Sequence, residues 1–189
     1  TLSMIIYVFI DASNLWAAQK SKKRLLDYSK ISGYITKTYS CSALKVFYYD
    51  SYPADGTRAH SIDGKHKFYT FLKKGLSFAV ITKKFKRIRV LTDKGDAMIE
   101  KGNMDVEITI DALHHIDKYD EAVLFTGDSD FLALVTYLRN HSKKVYVYSS
   151  KNNVSEELRT GTDGYVDILN IDEIWGKALQ HRGELGGAK

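Results

Sequence analysis

Apolar residues in this chain come in short unbroken runs, and two of those runs stop abruptly at carboxylates. Met4-Ile5-Ile6-Tyr7-Val8-Phe9-Ile10 ends at Asp11-Ala12-Ser13-Asn14, and the run through Leu124-Phe125 ends at Thr126-Gly127-Asp128-Ser129-Asp130 before apolar residues resume at Phe131. A strand without polar alternation is one covered on both faces, as in parallel sheets. Each run therefore predicts a buried central strand that delivers acids to its C-terminal mouth.

Periodicity elsewhere alternates strand and helix. A strand at 4–10 is followed by a polar loop through Arg24, then by an amphipathic helix from about Asp27 with Ile31 and Ile35 inward. A strand at 43–49, a loop around Pro53 through Gly56, a helix at 63–74 closed by Gly75 and a strand at 77–82 come next. Residues 83–103 are the least regular: a basic run, a short strand at 88–91, and the turn signals Lys94-Gly95-Asp96 and Lys101-Gly102-Asn103, together predicting a hairpin beside the strand mouths. In 104–116, Met104, Val106, Ile108 and Ile110 alternate as in a strand, while Val106, Ile110 and Leu113 make a helical stripe. Helix is preferred because Ala112-Leu113 breaks the alternation. A strand at 121–125, a helix at 129–140 and a strand at 144–148 have the spacing of a right-handed βαβ crossover. A helix near 154–160, a strand at 165–168 and a last helix at 172–179 finish the chain.

Composition narrows the class. At 189 residues and 44% hydrophobic content the chain fits one domain, taken as 4–180, with Thr1-Leu2-Ser3 read as a cloning remnant and 181–189 as a flexible tail. Cys41 is the only cysteine, which excludes an intrachain disulfide or a zinc ribbon and suits a reducing cytoplasm. No apolar run approaches the roughly 20 residues of a membrane span, so no membrane association is expected. The net charge is +5, although the strand mouths gather acids. The positive charge lies in two clusters, Lys20, Lys22, Lys23 and Arg24, and Lys83, Lys84, Lys86, Arg87 and Arg89, with Lys73, Lys74, Lys94 and Lys101 near the second in sequence. Such clusters are either solvated faces or patches along which a polyanion is led across the acidic centre.

The chemistry follows from the acids. In open α/β sheets the ligand crevice lies beyond the carboxyl ends of the strands, which would gather Asp11, Asp128 and Asp130 with Asp105, at the start of its helix. Clustered carboxylates can hold the divalent cations that phosphodiester hydrolysis uses, and an oxygen-only set with no His or Cys pair suits Mg²⁺ or Mn²⁺ better than zinc. Three of the acids also have a structural alternative: Asp11 an Asx-turn to the Ser13 backbone, Asp105 and Asp130 favourable positions at helix N-termini. Asp111 lies about 120° around the helix from Asp105, at about 100° per residue, so it is read as supporting rather than ligating. Glu107 shares the Asp111 face. His114 and His115 lack a partner at metal spacing, and Trp16, Tyr48, Tyr49 and Tyr52 are either base-stacking or packing residues.

Ile10-Asp11-Ala12-Ser13-Asn14, then Lys101-Gly102-Asn103-Met104-Asp105 with Asp111, then Thr126-Gly127-Asp128-Ser129-Asp130-Phe131 stand in an order that resembles the NYN domains of the LabA-like group, a branch of the PIN-like nucleases. The likeness spans roughly residues 4–170 and supports the helical reading of 104–116. It implies a Rossmann-like α/β three-layer sandwich with a central, mainly parallel sheet, and cleavage of RNA, with DNA also open as a substrate, to 5′-phosphate and 3′-hydroxyl ends. It further implies Mg²⁺ or Mn²⁺ held by Asp11, Asp105 and Asp128 with Asp130 assisting, and Asn14 and Ser129 supporting from behind. Lys22, Lys23, Arg24, Lys83, Lys84, Lys86, Arg87 and Lys101 become the candidate nucleic-acid contacts, and dimerisation is left open. Two alternatives accompany this reading. One is a non-catalytic RNA-binding module on the same fold. The other is a phosphatase of the haloacid-dehalogenase type, against which Ser13 stands where such enzymes carry a second Asp. A nucleotide-binding Rossmann domain is disfavoured because no Gly-x-Gly-x-x-Gly follows the first strand and no Gly-rich phosphate loop with Lys-Ser/Thr occurs in the sequence.

Overall fold

The N-terminal apolar run becomes the centre of a six-stranded sheet in the computed structural model, which describes residues 3–53, 59–93 and 95–179. The chain runs β1 (Ile5–Asp11), α1 (Ala12–Lys22), β2 (Arg24–Leu26), α2 (Tyr28–Tyr39), β3 (Ala43–Tyr52), α3 (Ala59–Thr70), β4 (Ala79–Lys84) and β5 (Lys86–Thr92). It continues through β6 (Gly95–Lys101), α4 (Asp105–His114), β7 (Glu121–Phe125), α5 (Leu132–Asn140), β8 (Lys144–Ser149), α6 (Glu156–Gly161), β9 (Gly164–Asp167) and β10 (Trp175–Ala178). The expected loop residues 54–56, Lys94 and the tail 181–189 lie outside the described residues, as do Thr1 and Leu2.

The sheet order is β4-β3-β1-β7-β8-β9, with every neighbouring pair parallel. Side chains of β1 alternate between two cores, which explains why the run has no polar position. Ile6, Val8 and Ile10 pack with Leu15 and Ala18 of α1, Ile31 and Ile35 of α2 and Tyr69 of α3. Tyr7 and Phe9 pack with Ile108 and Ala112 of α4, Val135 and Leu138 of α5 and Leu158 of α6. The result is the three-layer α/β sandwich expected. Strand order reverses between β1 and β7, the place where such sheets open a crevice. Asp11 ends β1 and Asp128 follows β7 by three residues, so both acids stand at that reversal.

Two elements differ from the pattern-based reading. The polar loop expected after Asp11 is instead α1, whose apolar stripe is only Leu15 and Ala18, beside a buried Gln19. The Gln19 side chain accepts from the Leu26 N–H at 2.9 Å, so a polar residue holds the helix where periodicity looks for an apolar one. The last helix expected at 172–179 is one 3₁₀ turn, Asp172–Ile174, followed by β10, which pairs antiparallel with β2. Gly176 is a poor helix-interior residue. Ile174 and Trp175 are buried in the core shared with α1 and α2, and the Trp175 indole donates to the Ile168 carbonyl at 3.2 Å.

The expected hairpin is present as β5 and β6, longer than the 88–91 strand and paired from Lys86↔Lys101 to Thr92↔Gly95. Its base is clamped to the sheet where the Phe85 N–H donates to the Tyr52 carbonyl at 2.8 Å and Ser51 Oγ donates to the Gly102 carbonyl. A Cβ on Gly102 would collide with the Phe85 ring and with Ser51 Oγ, so this junction needs glycine. Residues 105–114 are helical, as expected.

Candidate metal centre

Local hydrogen bonding positions Asp105 and Asp128 before any ligand arrives. Met104 is buried and α4 begins immediately after it; the Asp105 N–H donates to Asn103 Oδ1 at 2.7 Å, and the Asn103 amide donates back to Asp105 Oδ2. On the β7 side, Thr126 is buried and its hydroxyl accepts from the Asp128 N–H at 3.3 Å. Asp128 then caps the 3₁₀ turn Ser129–Phe131 by accepting from the Asp130 N–H at 3.0 Å, while Phe131 anchors the turn in the core. Asp130 lies in the first turn of that 3₁₀ helix, where a negative charge is favourable, as its structural alternative expects, and Asp128 is the cap.

One carboxylate oxygen from each of Asp105, Asp128 and Asp130 lies within 4.8 Å of the other two. Oxygen ligands bind hard divalent cations at about 2.0–2.6 Å, so two ligands of one ion stand no more than about 5 Å apart. The group fits that limit without rearrangement. Burial raises the Asp105 carboxyl above its ordinary range; donation from Asn103 and the charge of Lys83 oppose the shift, and the charges of Asp128 and Asp130 add to it. A cation between the three would relieve that repulsion.

Asp11 stands beside this group and outside it. It is 4% exposed, and its Oδ1 accepts from the Ser13 N–H at 3.1 Å and the Ser13 hydroxyl at 2.7 Å, so the Asx-turn weighed for it is present. Its Oδ2 accepts a long bond of 3.5 Å from Thr126 Oγ1. Burial raises its carboxyl, hydrogen bonds from Ser13 and Asn14 lower it, and the charge of Asp105 raises it further.

Asn14 ties the two strand ends together. Its Oδ1 accepts from the Gly127 N–H at 2.9 Å and from the Asn153 amide at 2.6 Å. Gly127 permits this closure, since a Cβ there would collide with the Asn153 carbonyl and stand 2.7 Å from Ser149 Oγ. Ser129 is exposed at the rim. Asp111 faces the sheet instead, where its Oδ2 accepts from the Tyr49 hydroxyl at 2.8 Å. Tyr48 and Tyr49 are buried and cannot stack on a base, whereas Trp16 is 48% exposed on α1.

The basic residues divide by position. α1 runs from Asp11 for 11 residues, about 16 Å at about 1.5 Å each, so Lys22, Lys23 and Arg24 lie at the far end of the helix from the acids. Lys22 pairs with Asp172 at 2.9 Å and Arg24 donates to the Gly176 carbonyl at 2.9 Å, both holding the C-terminal segment. Lys83 and Lys84 end β4, two and three residues beyond the level of Asp11 in the register through β3. Lys83 meets both oxygens of Glu107 at 2.8 and 2.9 Å; burial would raise that carboxyl, and Lys83 outweighs it and holds the group low. Lys86 and Lys101 face each other at the hairpin base, and Arg87 pairs with Glu100 at 3.4 Å.

Pattern reading missed Asn103, Thr126 and Asn153. The first two sit two residues before an acid, an Asx-like spacing that offers some signal. Asn153 is 139 residues from its partner Asn14 and offers none.

A family model described as NYN domain matches residues 5–170. The "Low amplitude and bright protein LabA" of Synechococcus elongatus is 28% identical over 164 residues, covering 87% of this chain and 83% of that protein. Among solved structures, a protein of unknown function from Vibrio parahaemolyticus aligns with a TM-score of 0.65 at 23% identity, covering 92% of this chain and 97% of its own, a likeness of fold alone.

Proposed function

Because this chain belongs to the NYN domain family, we propose that it is a divalent-metal-dependent ribonuclease acting on single-stranded RNA. The observation that carries the reading is the meeting of Asp105, Asp128 and Asp130 within 4.8 Å at the reversal point of the sheet. These three hold Mg²⁺ or Mn²⁺, and Asp11 contributes a fourth negative charge beside them. When bound, the cation neutralises charge on the phosphate being displaced and makes water a competent nucleophile near neutral pH.

The chain's own residues do the rest. Asn103 and Thr126 aim Asp105 and Asp128, and Asn14 keeps the β1 and β7 mouths at a fixed separation. Lys83, steadied by Glu107, offers its charge to a substrate phosphate on the hairpin side of the acids. Lys84, Lys86 and Lys101 extend that positive edge and draw the strand over the centre. Asp111 acts at a distance, by fixing α4 against Tyr49.

Cleavage of end-labelled single-stranded RNA and matched DNA, by the parent and by Asp128→Asn, in Mg²⁺, Mn²⁺ or chelator, tests the proposal. Metal-dependent cutting of RNA that disappears in the variant is the expected result. A folded parent that retains RNA yet cuts nothing in either metal would make this a binding module instead.

A further inference from the structure

On the β8 flank of the carboxylates lies an open depression of about 390 Å³ that shares Asp128 with them; Asn14, Ser129, Asn152, Asn153 and Ser155 also line it. Its volume falls within the roughly 300–1,000 Å³ of small-molecule sites. Among the described residues no lysine or arginine lines it, in contrast to the other flank, where Lys83, Lys86 and Lys101 stand. The two flanks therefore suit different parts of a nucleic acid strand.

The hydrogen-bonding groups in the depression are already sorted. The Asn153 amide N–H groups are directed at Asn14, at 2.6 Å to its Oδ1 and 3.3 Å to its carbonyl, so the remaining polar atom of that side chain, Oδ1, is an acceptor. Ser155 Oγ accepts from the Leu158 N–H at 3.3 Å, so its O–H is free to donate. Asp128 adds acceptor capacity, and Asn152 and Ser129 are exposed at the rim. The lining offers acceptors from Asp128 and Asn153 and a donor from the Ser155 hydroxyl, and among the described residues it carries a negative charge and no cation, a set that disfavours phosphate and suits the hydroxyl groups of a nucleoside.

We propose that this depression binds the nucleoside adjoining the scissile phosphate, and that Asn152 and Asn153 favour ribose over deoxyribose by engaging its 2′-hydroxyl. The proposal rests on the ribonuclease reading and deepens it: the 2′-hydroxyl is the group by which a protein tells RNA from DNA at one position. Phosphates beyond that nucleoside then cross the acids towards Lys83 and the hairpin base.

The test is a nitrogen-15 NMR titration of the full chain in Ca²⁺ with 5′-AMP and 5′-dAMP, repeated on Asn152→Ala, a variant that leaves the Asn14–Asn153 contact in place. Shifts at residues 152–155 and at the Asn152 and Asn153 side-chain amides are expected. AMP should bind roughly three- to tenfold more tightly than dAMP, the worth of one hydrogen bond, and Asn152→Ala should narrow that ratio. Shifts confined to 83–101, equal binding of the two nucleotides, or an unaltered ratio in the variant would overturn the proposal. A parent that cuts RNA while 152–155 stay silent removes the nucleoside site and leaves the nuclease; nucleotides that fill the site of a protein that cuts nothing do the reverse.

Discussion

Replacing Asp105 by Asn should make the metal-free protein more stable while abolishing its response to metal. With carboxylate oxygens within 4.8 Å, each like-charge pair costs about 1 kcal/mol at the dielectric of water and about 3–4 kcal/mol at an effective value near 20. Asp130 is exposed and Asp128 half-buried, so the lower figure applies, and Asp105 takes part in two pairs. Against the resulting gain of about 2 kcal/mol stands the loss of a negative charge in the first turn of α4, worth up to about 1 kcal/mol. The Asn103 contact survives, since Asn keeps a carbonyl oxygen. A net gain of about 1 kcal/mol corresponds to about 2–4 °C in Tm for a chain of this size. Thermal melts in chelator would show it, and added salt would shrink it. The pH dependence has a definite sign. Because the folded Asp105 carboxyl is raised, its contribution to stability is fully present below the ordinary carboxylate range and is lost as pH rises through the raised value, so the parent's deficit against the variant widens from acid towards neutral pH. With Mn²⁺ at a hundred times its Kd the parent should gain about 3 kcal/mol and the variant far less. A variant less stable than the parent in chelator at every pH, or equally stabilised by Mn²⁺, would mean that Asp105 neither suffers this repulsion nor binds the metal.

Three further outcomes follow from other parts of the molecule. Glu121 is 7% exposed, burial raises its carboxyl while Lys144 at 3.8 Å opposes, and its Oε2 has no hydrogen-bond partner among the described residues. Its stabilising contribution is complete below about pH 4.3, the ordinary Glu value, and fades as pH rises through the raised one, so Glu121→Gln should stabilise the fold near neutrality and flatten the pH slope of urea unfolding; an unchanged slope counts against this. Gly127→Ala forces the Asn153 loop away from β7 and should cost about 1–3 kcal/mol in urea unfolding along with the alignment of Asp128, whereas a neutral result would mean the loop yields freely. Lys83→Ala should weaken RNA binding across sequences and lower the salt slope of log K by about 0.7, as for one single-strand phosphate contact, while an identical slope would put Lys83 outside the interface.

The parts of the fold legible in sequence are those where one local pattern determines the outcome. β1 and β7 show because strands buried on both faces have no polar alternation, and their acids show because each run stops at a carboxylate. α1 did not show, because Leu15 and Ala18 are too narrow a stripe and Gln19 fills the third inward position with a side-chain hydrogen bond. β10 did not show, because its partner β2 lies about 150 residues earlier and its strand geometry comes from that pairing and from the burial of Trp175. At the candidate site the residues point to Asp11, Asp105 and Asp128 with Asp130 assisting, whereas the structure gathers Asp105, Asp128 and Asp130 and leaves Asp11 beside them. The capping of α1 by Asp11, whose carboxylate accepts from Ser13, was visible only as an alternative, and the Asn14–Asn153 bridge only in three dimensions.

The cluster of Asp105, Asp128 and Asp130 should both hold the cation and carry RNA hydrolysis. Mn²⁺ titrated into the parent and into Asp105→Asn, with bound Mn²⁺ followed by electron paramagnetic resonance and cleavage of labelled RNA followed in the same samples, tests it most directly. Cleavage by the parent should rise in step with Mn²⁺ occupancy, and both should vanish together in the variant. Cleavage that persists in chelator, or that survives in Asp105→Asn after Mn²⁺ binding is lost, would contradict the account.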